Sequence, residues 1–266
     1  MRLAPLLLLP ACALLLGAAP PRRVISLNLC ADQIVLALAD RDQIAGLTRN
    51  AADPEMSAAA AQARGLPILR TSIEQVIARN PDLLVGLPGQ ASAGYGGRRY
   101  PLLELPLAES LSAIEASIRK AAPALGHPRR GEALIARMRA DLAAIPRNGR
   151  GRVAAYYQRR GFLTGTGTVI DELIRRAGLV NLGTKLGKPT LSQVSLEEMV
   201  AARPDFLIVE TATDRVSDQG TEMLHHPALA GIPRIAMPQG WTVCGGPAYV
   251  RAARSIAAQI AAHDRR

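Results

Sequence analysis

Two cysteines that follow the first 19 residues could do chemistry, because each stands in a loop close behind a predicted strand. Cys30 follows the apolar segment 23–27, and Cys244 follows the apolar segment 234–237. They could be buried as small hydrophobic side chains, or they could contact a ligand or a soft metal. They could also form a disulfide, which we rank last because a bridge across a cleft would hinder its opening.

A glycine-rich segment, residues 88–97, leads to the next candidates. Tyr95 and Tyr100 flank Arg98 and Arg99 at the end of this segment. A tyrosine can ligate haem iron, and arginines can bind carboxylate or phosphate groups. A polar surface loop without a ligand is the alternative, since such segments are often mobile.

Trp241 is the only tryptophan of the sequence, and it follows a predicted strand. A rigid aromatic ring at that place could stack on a flat ligand. It could equally anchor the loop to the core, because intermediate burial is normal for tryptophan.

The four histidines and the glycine motifs do not form a metal or catalytic signature. His225 and His226 are neighbours and point apart on a helix, so we expect no bare metal site. Residues 165–170 begin like a dinucleotide-binding fingerprint, but Ile170 stands where the third glycine belongs. We therefore expect neither an enzyme nor a resident cofactor.

Composition and charge limit the class of protein further. The chain has 266 residues, 48% of them hydrophobic and 3% aromatic, with a formal net charge of +10. The arginines are spread along the chain, and no nucleic-acid motif accompanies them. We interpret this charge as an ordinary solvated surface and expect no nucleic-acid partner.

Residues 1–19 have the pattern of a secretory signal peptide. Arg2 precedes an apolar stretch, and small residues follow at positions 17–19. The stretch is too short for a comfortable transmembrane helix. We expect export to the periplasm by this signal. Cys12 loosely resembles a lipid-attachment cysteine, but the proline at position 10 argues against that alternative.

The elements that must position these residues alternate between strand and helix, which is typical of an α/β fold with parallel sheets. We predict that Asp32 caps the first helix, which spans about residues 33–39. Ligands of such folds bind at the carboxyl ends of the strands. The candidate ligand-binding residues at those ends are Asn28, Cys30, Arg49, Gln90, Tyr95, Arg98, Tyr100, Tyr156, Trp241 and Cys244.

An internal repeat indicates two related lobes. Residues 195–209 mirror residues 72–85, since both read as a serine-capped helix, a proline, an aspartate and a buried strand. We therefore predict an N-terminal α/β lobe at residues 20–126 and a C-terminal lobe at residues 149–266. A long helical stretch at residues 127–148 is placed where a rigid connector would lie.

This order of motifs resembles the helix-backbone (class III) substrate-binding proteins of ABC importers for cobalamin, ferric siderophores and haem. The resemblance covers nearly the whole mature chain and includes the duplicated helix, the segment 165–173 and the segment 226–229. The segments 28–33 and 241–247 look most like the cobalamin-binding branch. One departure is the glycine-rich loop, which stands where the family usually has a helix and which should therefore remodel one wall of the cleft.

The resemblance implies two Rossmann-like lobes joined by one long helix, with a metal chelate held in the cleft between them. It ranks a corrinoid first, then a ferric siderophore, then haem. A scaffold that does not transport is a further alternative. The resemblance also implies that one exposed glutamate per lobe, Glu74 and Glu197, docks on the inner-membrane permease, with Glu198 as the substitute for Glu197. First-turn glutamates without a partner are the alternative. We expect a monomer.

Overall fold

Strands and helices alternate through the computed structural model, which describes residues 19–70, 72–90, 94 and 98–266. Of the predicted signal segment, only Ala19 is among the described residues, so Cys12 lies outside them. Tyr95 lies outside them as well. Along the described part of the chain, no helix is both long enough and apolar enough to cross a membrane.

The first sheet has five parallel strands and forms what we call the N-terminal lobe. Its elements are β1 (Val24–Ser26), α1 (Leu29–Leu38), β2 (Ile44–Thr48), α2 (Ala60–Ala63), β3 (Ile68–Leu69), α3 (Ile73–Ala78), β4 (Leu83–Gly86), β5 (Leu102–Glu104) and α4 (Leu111–Ala124). The strand order is β3-β2-β1-β4-β5. The central strands are almost wholly apolar, because packed elements cover both faces of the sheet.

One helix, α5 (Pro128–Ala143), leads from this sheet to the second one. Its 16 residues give a rod of about 24 Å. The stripe Leu134, Ile135, Met138 and Leu142 is buried, and Arg139 Nε donates to Glu115 of α4 at 2.7 Å. This helix lies within the range 127–148 in which a connector was predicted, and it ends at Ala143.

The second sheet forms the core of what we call the C-terminal lobe. Its elements are β6 (Val153–Tyr156), β7 (Phe162–Thr164), α6 (Val169–Arg176), β8 (Val180–Asn181), α7 (Leu182–Lys185), β9 (Leu191–Gln193), α8 (Leu196–Ala202), β10 (Phe206–Glu210), α9 (Gln219–Glu222), β11 (Arg234–Met237) and α10 (Tyr249–His263). Four of these strands are parallel in the order β11-β10-β6-β8, and β7 pairs with β9 antiparallel. The predicted α/β fold with two parallel sheets is confirmed.

The repeat seen in the sequence corresponds to a repeat in the structure. Ser72 accepts a hydrogen bond from the amide of Gln75 at the start of α3, and Ser195 accepts one from the amide of Glu198 at the start of α8. Each helix is followed by a buried interior strand of its sheet, β4 or β10. The predicted caps are confirmed, because a serine oxygen satisfies a backbone donor that the helix itself cannot.

The cap of α1 was predicted wrongly. The helix begins at Leu29, and Asn28 caps it by accepting from the amide of Ala31 at 2.9 Å. Asp32 instead lies in the first turn and is fully buried. An asparagine and an aspartate are comparable caps, so the difference comes from a tertiary contact, the hydrogen bonds that Asp32 accepts from Thr48.

Both sheets share one hydrophobic core. A single cluster of buried side chains includes Val24 and Ile114 of the N-terminal lobe, Met138 of α5, and Tyr156 and Ile256 of the C-terminal lobe. Smaller clusters cover the remaining face of each sheet. The two lobes are therefore packed against one another through α5 and not merely tethered by it.

Candidate functional site

An open cavity of about 710 Å³ lies at the carboxyl edge of the first sheet. The residues that line it follow β1, β2 and β3, and they all belong to the N-terminal lobe. They are Leu27, Asn28, Leu29, Thr48, Arg49, Asn50 and Arg70. The cavity thus stands where parallel α/β sheets bind their ligands.

Asn28, one of the predicted ligand-binding residues, lines this cavity, and Gln90, another of them, is hydrogen-bonded to it. Asn28 Nδ2 donates to Gln90 Oε1 at 2.9 Å. The same Gln90 oxygen accepts from the amide of Leu87, and Gln90 Nε2 donates to the carbonyl of Leu27 at 2.8 Å. These bonds join the exits of β1 and β4, so they fix the shape of the wall.

A buried carboxyl group supports the wall from behind. Asp32 accepts from the amide and the hydroxyl of Thr48, which ties α1 to the carboxyl end of β2. Burial raises the pKa of Asp32, although the bonds from Thr48 oppose that rise. This contact explains why Asp32 is drawn into the core and leaves the cap position to Asn28.

Two arginines line the cavity, and a third candidate arginine does not. Arg49, a predicted ligand-binding residue, lines the cavity, and so does Arg70, which sequence reasoning missed. Arg70 follows β3, a strand of two residues whose exposed Ile68 gave too weak a pattern to be recognised. Arg98 is exposed at the end of the glycine-rich loop and is not part of the cavity wall.

Tyr100 does not lie at the cleft edge, and this prediction is corrected. It stands two residues before β5, whose Leu102 is level with Leu84 near the start of β4. Since the strands are parallel, Tyr100 lies at the amino edge of the sheet, where it packs against the cluster that contains Leu84 and Val76. Because β5 starts at this edge and β1 to β3 end at the opposite one, the tyrosine lies away from the cavity.

Tyr156 is also not available to a ligand. Its side chain is only 2% exposed, and its hydroxyl donates to Glu210 at 3.3 Å. Burial, together with the charge of Glu210, raises the pKa of Tyr156 well above its usual range. The neighbouring Tyr157 is buried as well, because clusters of apolar side chains cover both faces of this sheet. Neither tyrosine is therefore exposed, although the two side chains point to opposite faces of the sheet.

Cys30 and Cys244 form a disulfide between the two lobes, with their Cα atoms 5.3 Å apart. Our ranking of the bridge as the last of three interpretations was wrong. The reason is the close approach of the two loops, since a Cβ on Gly245 would lie 1.8 Å from the carbonyl oxygen of Ala108. The carboxyl edges of both sheets therefore face one another and are joined at one end.

Trp241 lies in the loop that carries Cys244. It is partly buried against the shared core, and the Arg251 guanidinium stands 5.5 Å from its ring centroid. Arg251 also donates to the carbonyl of Ala58 in the N-terminal lobe at 2.7 Å. The tryptophan is thus packed at the junction of the lobes, where a cation covers its ring.

Two carboxylates hold the lobes together beside α5. Glu172 of α6 accepts from the amide of Leu111, the first residue of α4, at 2.7 Å. In the opposite direction, Glu109 accepts from the amide of Val169, the first residue of α6, at 3.2 Å. Each lobe therefore supplies an acceptor to a helix start of the other, where negative charge is favoured.

The two predicted docking glutamates have matching surroundings. Glu74 and Glu197 are both exposed in the first turn of a short helix. Backbone N–H donation, followed by a bond to Ser72 or Ser195, lowers the pKa of each carboxyl. Glu198, the substitute considered for Glu197, is bound to Lys188 Nζ at 2.7 Å. The exposed, ionised pair is thus Glu74 and Glu197.

Along the described part of the chain, no group of three or more metal-ligating side chains converges. The histidines have local roles, since His225 contacts the carbonyl of Thr213 and His127 contacts Gln43. A ligand at the cavity would therefore meet arginine and amide groups, not a preformed cage for a bare metal ion.

The sequence resembles a curated relative with a named ligand. Over 204 residues it is 24% identical to a vitamin B12-binding protein of Pectobacterium atrosepticum, a match that covers 71% of each chain.

Solved structures share the architecture. The periplasmic haem-binding protein RhuT from Roseiflexus sp. RS-1 is 27% identical, with a TM-score of 0.73 over 90% of this chain and 97% of that one. An ABC-type Fe³⁺-hydroxamate transport protein of Saccharomonospora viridis is 21% identical, with a TM-score of 0.67 over 90% and 93%. At that identity the second likeness shows the fold alone.

A family model for periplasmic binding proteins matches residues 24–236. This range begins at β1 and ends inside β11, so it includes both sheets and the connecting helix. The chain belongs to the periplasmic binding protein family.

Proposed function

We propose that this chain is the substrate-binding component of an ABC importer and that it carries an intact metal chelate. The observation that carries the proposal is the cavity of about 710 Å³ at the carboxyl edge of the N-terminal lobe, the edge that the disulfide joins to the other lobe. Its volume falls in the range of roughly 300–1,000 Å³ that is usual for small-molecule sites. The family to which the chain belongs consists of binding proteins, which supports a binding role over an enzymatic one.

The chemistry of the wall supports a chelate over a bare metal ion. Structural or transport sites for a bare transition metal need three or four converging ligands, and the described residues offer no such group. The metal would thus arrive inside its own organic ligand, and the protein would bind the periphery of that ligand. In this proposal the metal is cargo, and the protein needs no resident cofactor.

Among chelates, we propose a corrinoid first and a ferric siderophore second. The curated relative that binds vitamin B12 supports this order. Haem is the alternative, supported by the haem-binding relative of known structure. Against haem stands the burial of Tyr156 and Tyr157, whose hydroxyls are bound inside the C-terminal lobe.

Titration of the purified protein from residue 20 onward tests the proposal. The ligands are cyanocobalamin, a ferric hydroxamate, a ferric catecholate and haem, and the readouts are calorimetry and the fluorescence of the single Trp241. We expect one of them to bind with at least micromolar affinity and the corresponding metal-free ligand or free metal salt to bind much less. Failure of all four chelates, or equal binding of a free metal salt, would overturn the chelate assignment but leave the fold untouched.

We also propose that Glu74 and Glu197 dock the protein on arginines of an inner-membrane permease. Their matched exposure and lowered pKa values support this role. Charges of this kind mainly steer association. The double variant Glu74→Ala/Glu197→Ala should keep its affinity for the chelate, while uptake in vesicles with the reconstituted permease falls. Glu198→Ala is the matched control and should leave uptake intact; unchanged uptake in the double variant would refute the docking role.

The chain is further proposed to reach the periplasm as a monomer, after removal of the segment 1–19. The family name and the disulfide support this location, because such bonds persist in oxidising compartments. Cell fractionation, the intact mass of the mature protein and its elution volume test the three parts. A mass that retains a lipid on Cys12 would replace cleavage with anchoring.

A further inference from the structure

The wall of the cavity places two arginines side by side. Strands β2 and β3 are parallel neighbours, and Thr48 is level with Leu69. The next residues of the two strands, Arg49 and Arg70, therefore leave the sheet at the same level, and adjacent strands are about 4.8 Å apart. Both side chains are exposed and both line the cavity.

This pair of like charges lacks a partner among the described residues. Other arginines of the lobe are neutralised, as Arg130 is by Asp40 at 2.7 Å. None of the ion pairs formed within the described ranges involves Arg49 or Arg70. The nearby acid Asp32 is fully buried, and its oxygens accept from Thr48. Two adjacent guanidinium groups repel one another unless an anion lies between them.

The rest of the wall adds to the positive potential. Asn28 and Leu29 belong to the start of α1, a helix of ten residues that points its amino end at the cavity. The amino end of a helix carries a partial positive charge. The wall residues contribute no carboxylate, since they comprise two leucines, two asparagines, a threonine and the two arginines.

We propose that Arg49 and Arg70 form an anion-binding subsite, which selects chelates that carry a carboxylate or phosphate group at their periphery. Arginine suits this role because its planar fork of N–H donors matches both oxyanions. The inference rests on the proposed function and refines it, since it predicts that the protein rejects the uncharged members of the same ligand class.

Matched ligand pairs test the subsite. Haem carries two propionates that haem dimethyl ester lacks, and cyanocobalamin carries a phosphodiester that dicyanocobinamide lacks. Dissociation constants are measured for the wild-type protein, Arg49→Gln, Arg70→Gln and the double variant. Arg64→Gln is the matched control, because Arg64 is exposed in the same lobe but does not line the cavity.

Of the pair that binds, we expect the ligand that carries the carboxylate or phosphate group to lose roughly tenfold in affinity with each substitution and about a hundredfold with both. Its uncharged partner should bind the wild type weakly and should be insensitive to the substitutions. A response of the haem pair identifies carboxylate as the recognised group, and a response of the corrinoid pair identifies phosphate. Equal losses for the charged and uncharged partners, no loss at all, or an equal loss in the Arg64 variant would overturn the inference.

A second measurement separates this inference from the proposed function. If no chelate binds the wild-type protein, the proposed function fails, and the subsite is judged by inorganic pyrophosphate alone. Millimolar pyrophosphate should raise the thermal unfolding temperature of the wild type and of Arg64→Gln, but not that of the double variant. The same rise in all three proteins, or in none, would overturn the subsite.

Discussion

Removal of the Cys30–Cys244 bond is the sharpest perturbation that the structure offers. The bond joins residues 214 positions apart in the sequence. The chain-entropy relation for a loop of that length gives about 5 kcal/mol of stabilisation at 25 °C, since the link restricts the unfolded chain. Native bonds of small domains typically deliver about 2–5 kcal/mol when they are lost, so we expect a fall near the upper end of that range.

The assay is urea unfolding of the protein from residue 20 onward, followed by far-UV circular dichroism and by the fluorescence of Trp241. The double variant Cys30→Ala/Cys244→Ala is compared with the oxidised and the reduced wild type. Both perturbed forms should show the same lower midpoint of unfolding. Because the lobes share one core, both probes should report a single transition.

The control is the double variant with and without reductant, which should unfold identically because no thiol remains. A loss of less than about 1 kcal/mol would refute the reasoning, since the link would then restrict the unfolded chain far less than its length requires. Separate transitions for the two probes would instead refute the shared core.

Three further substitutions test the contacts between and within the lobes. Glu172→Ala leaves a helix-start amide of the other lobe without its acceptor, so urea unfolding should show a loss of about 1–3 kcal/mol; an unchanged midpoint would contradict the interlobe contact. Burial raises the pKa of Glu210, so the folded protein binds a proton there more tightly than the unfolded chain does. The free energy of unfolding should therefore fall as the pH rises from the pKa of Glu210 in the unfolded chain to its pKa in the folded protein. Glu210→Gln should remove that fall, and a wild-type pH profile in the variant would contradict the assignment. Gly245→Ala forces a Cβ against the backbone of Ala108 and should cost about 1–3 kcal/mol or more by thermal unfolding. The control Gly231→Ala, which meets nothing within 4 Å, should change stability by less than about 0.5 kcal/mol, and equal effects of the two would show that the loops can separate freely.

Local chemistry made much of the fold predictable. Ser72 and Ser195 mark helix starts because their oxygens satisfy specific amides nearby in the sequence. The strand Arg234–Met237 was predicted with its observed bounds. Each of these signals depends on a few consecutive residues, so the sequence contains all that is needed to recognise them.

The candidate site was less predictable, because its geometry depends on contacts between distant residues. Asp32 could have capped α1, and only its bonds to Thr48 draw it inward. Tyr100 was assigned to the cavity edge together with the glycine-rich segment that precedes it, but β5 runs parallel to β4 and therefore starts at the opposite edge. Arg70 was missed because β3 has only two residues. The proximity of Cys30 to Cys244 is likewise a property of lobe packing, which no local pattern records.

The shared core has a consequence for the ancestry and the redesign of this protein. The two halves repeat one another in sequence, which is typical of a duplicated gene. Yet Ile114, Met138 and Ile256 belong to one apolar cluster. Either half, produced alone, would therefore expose its share of these apolar side chains to water. We expect isolated halves to aggregate. A chimera that exchanges one half with a relative would need to bring the spanning helix and its apolar stripe along with it.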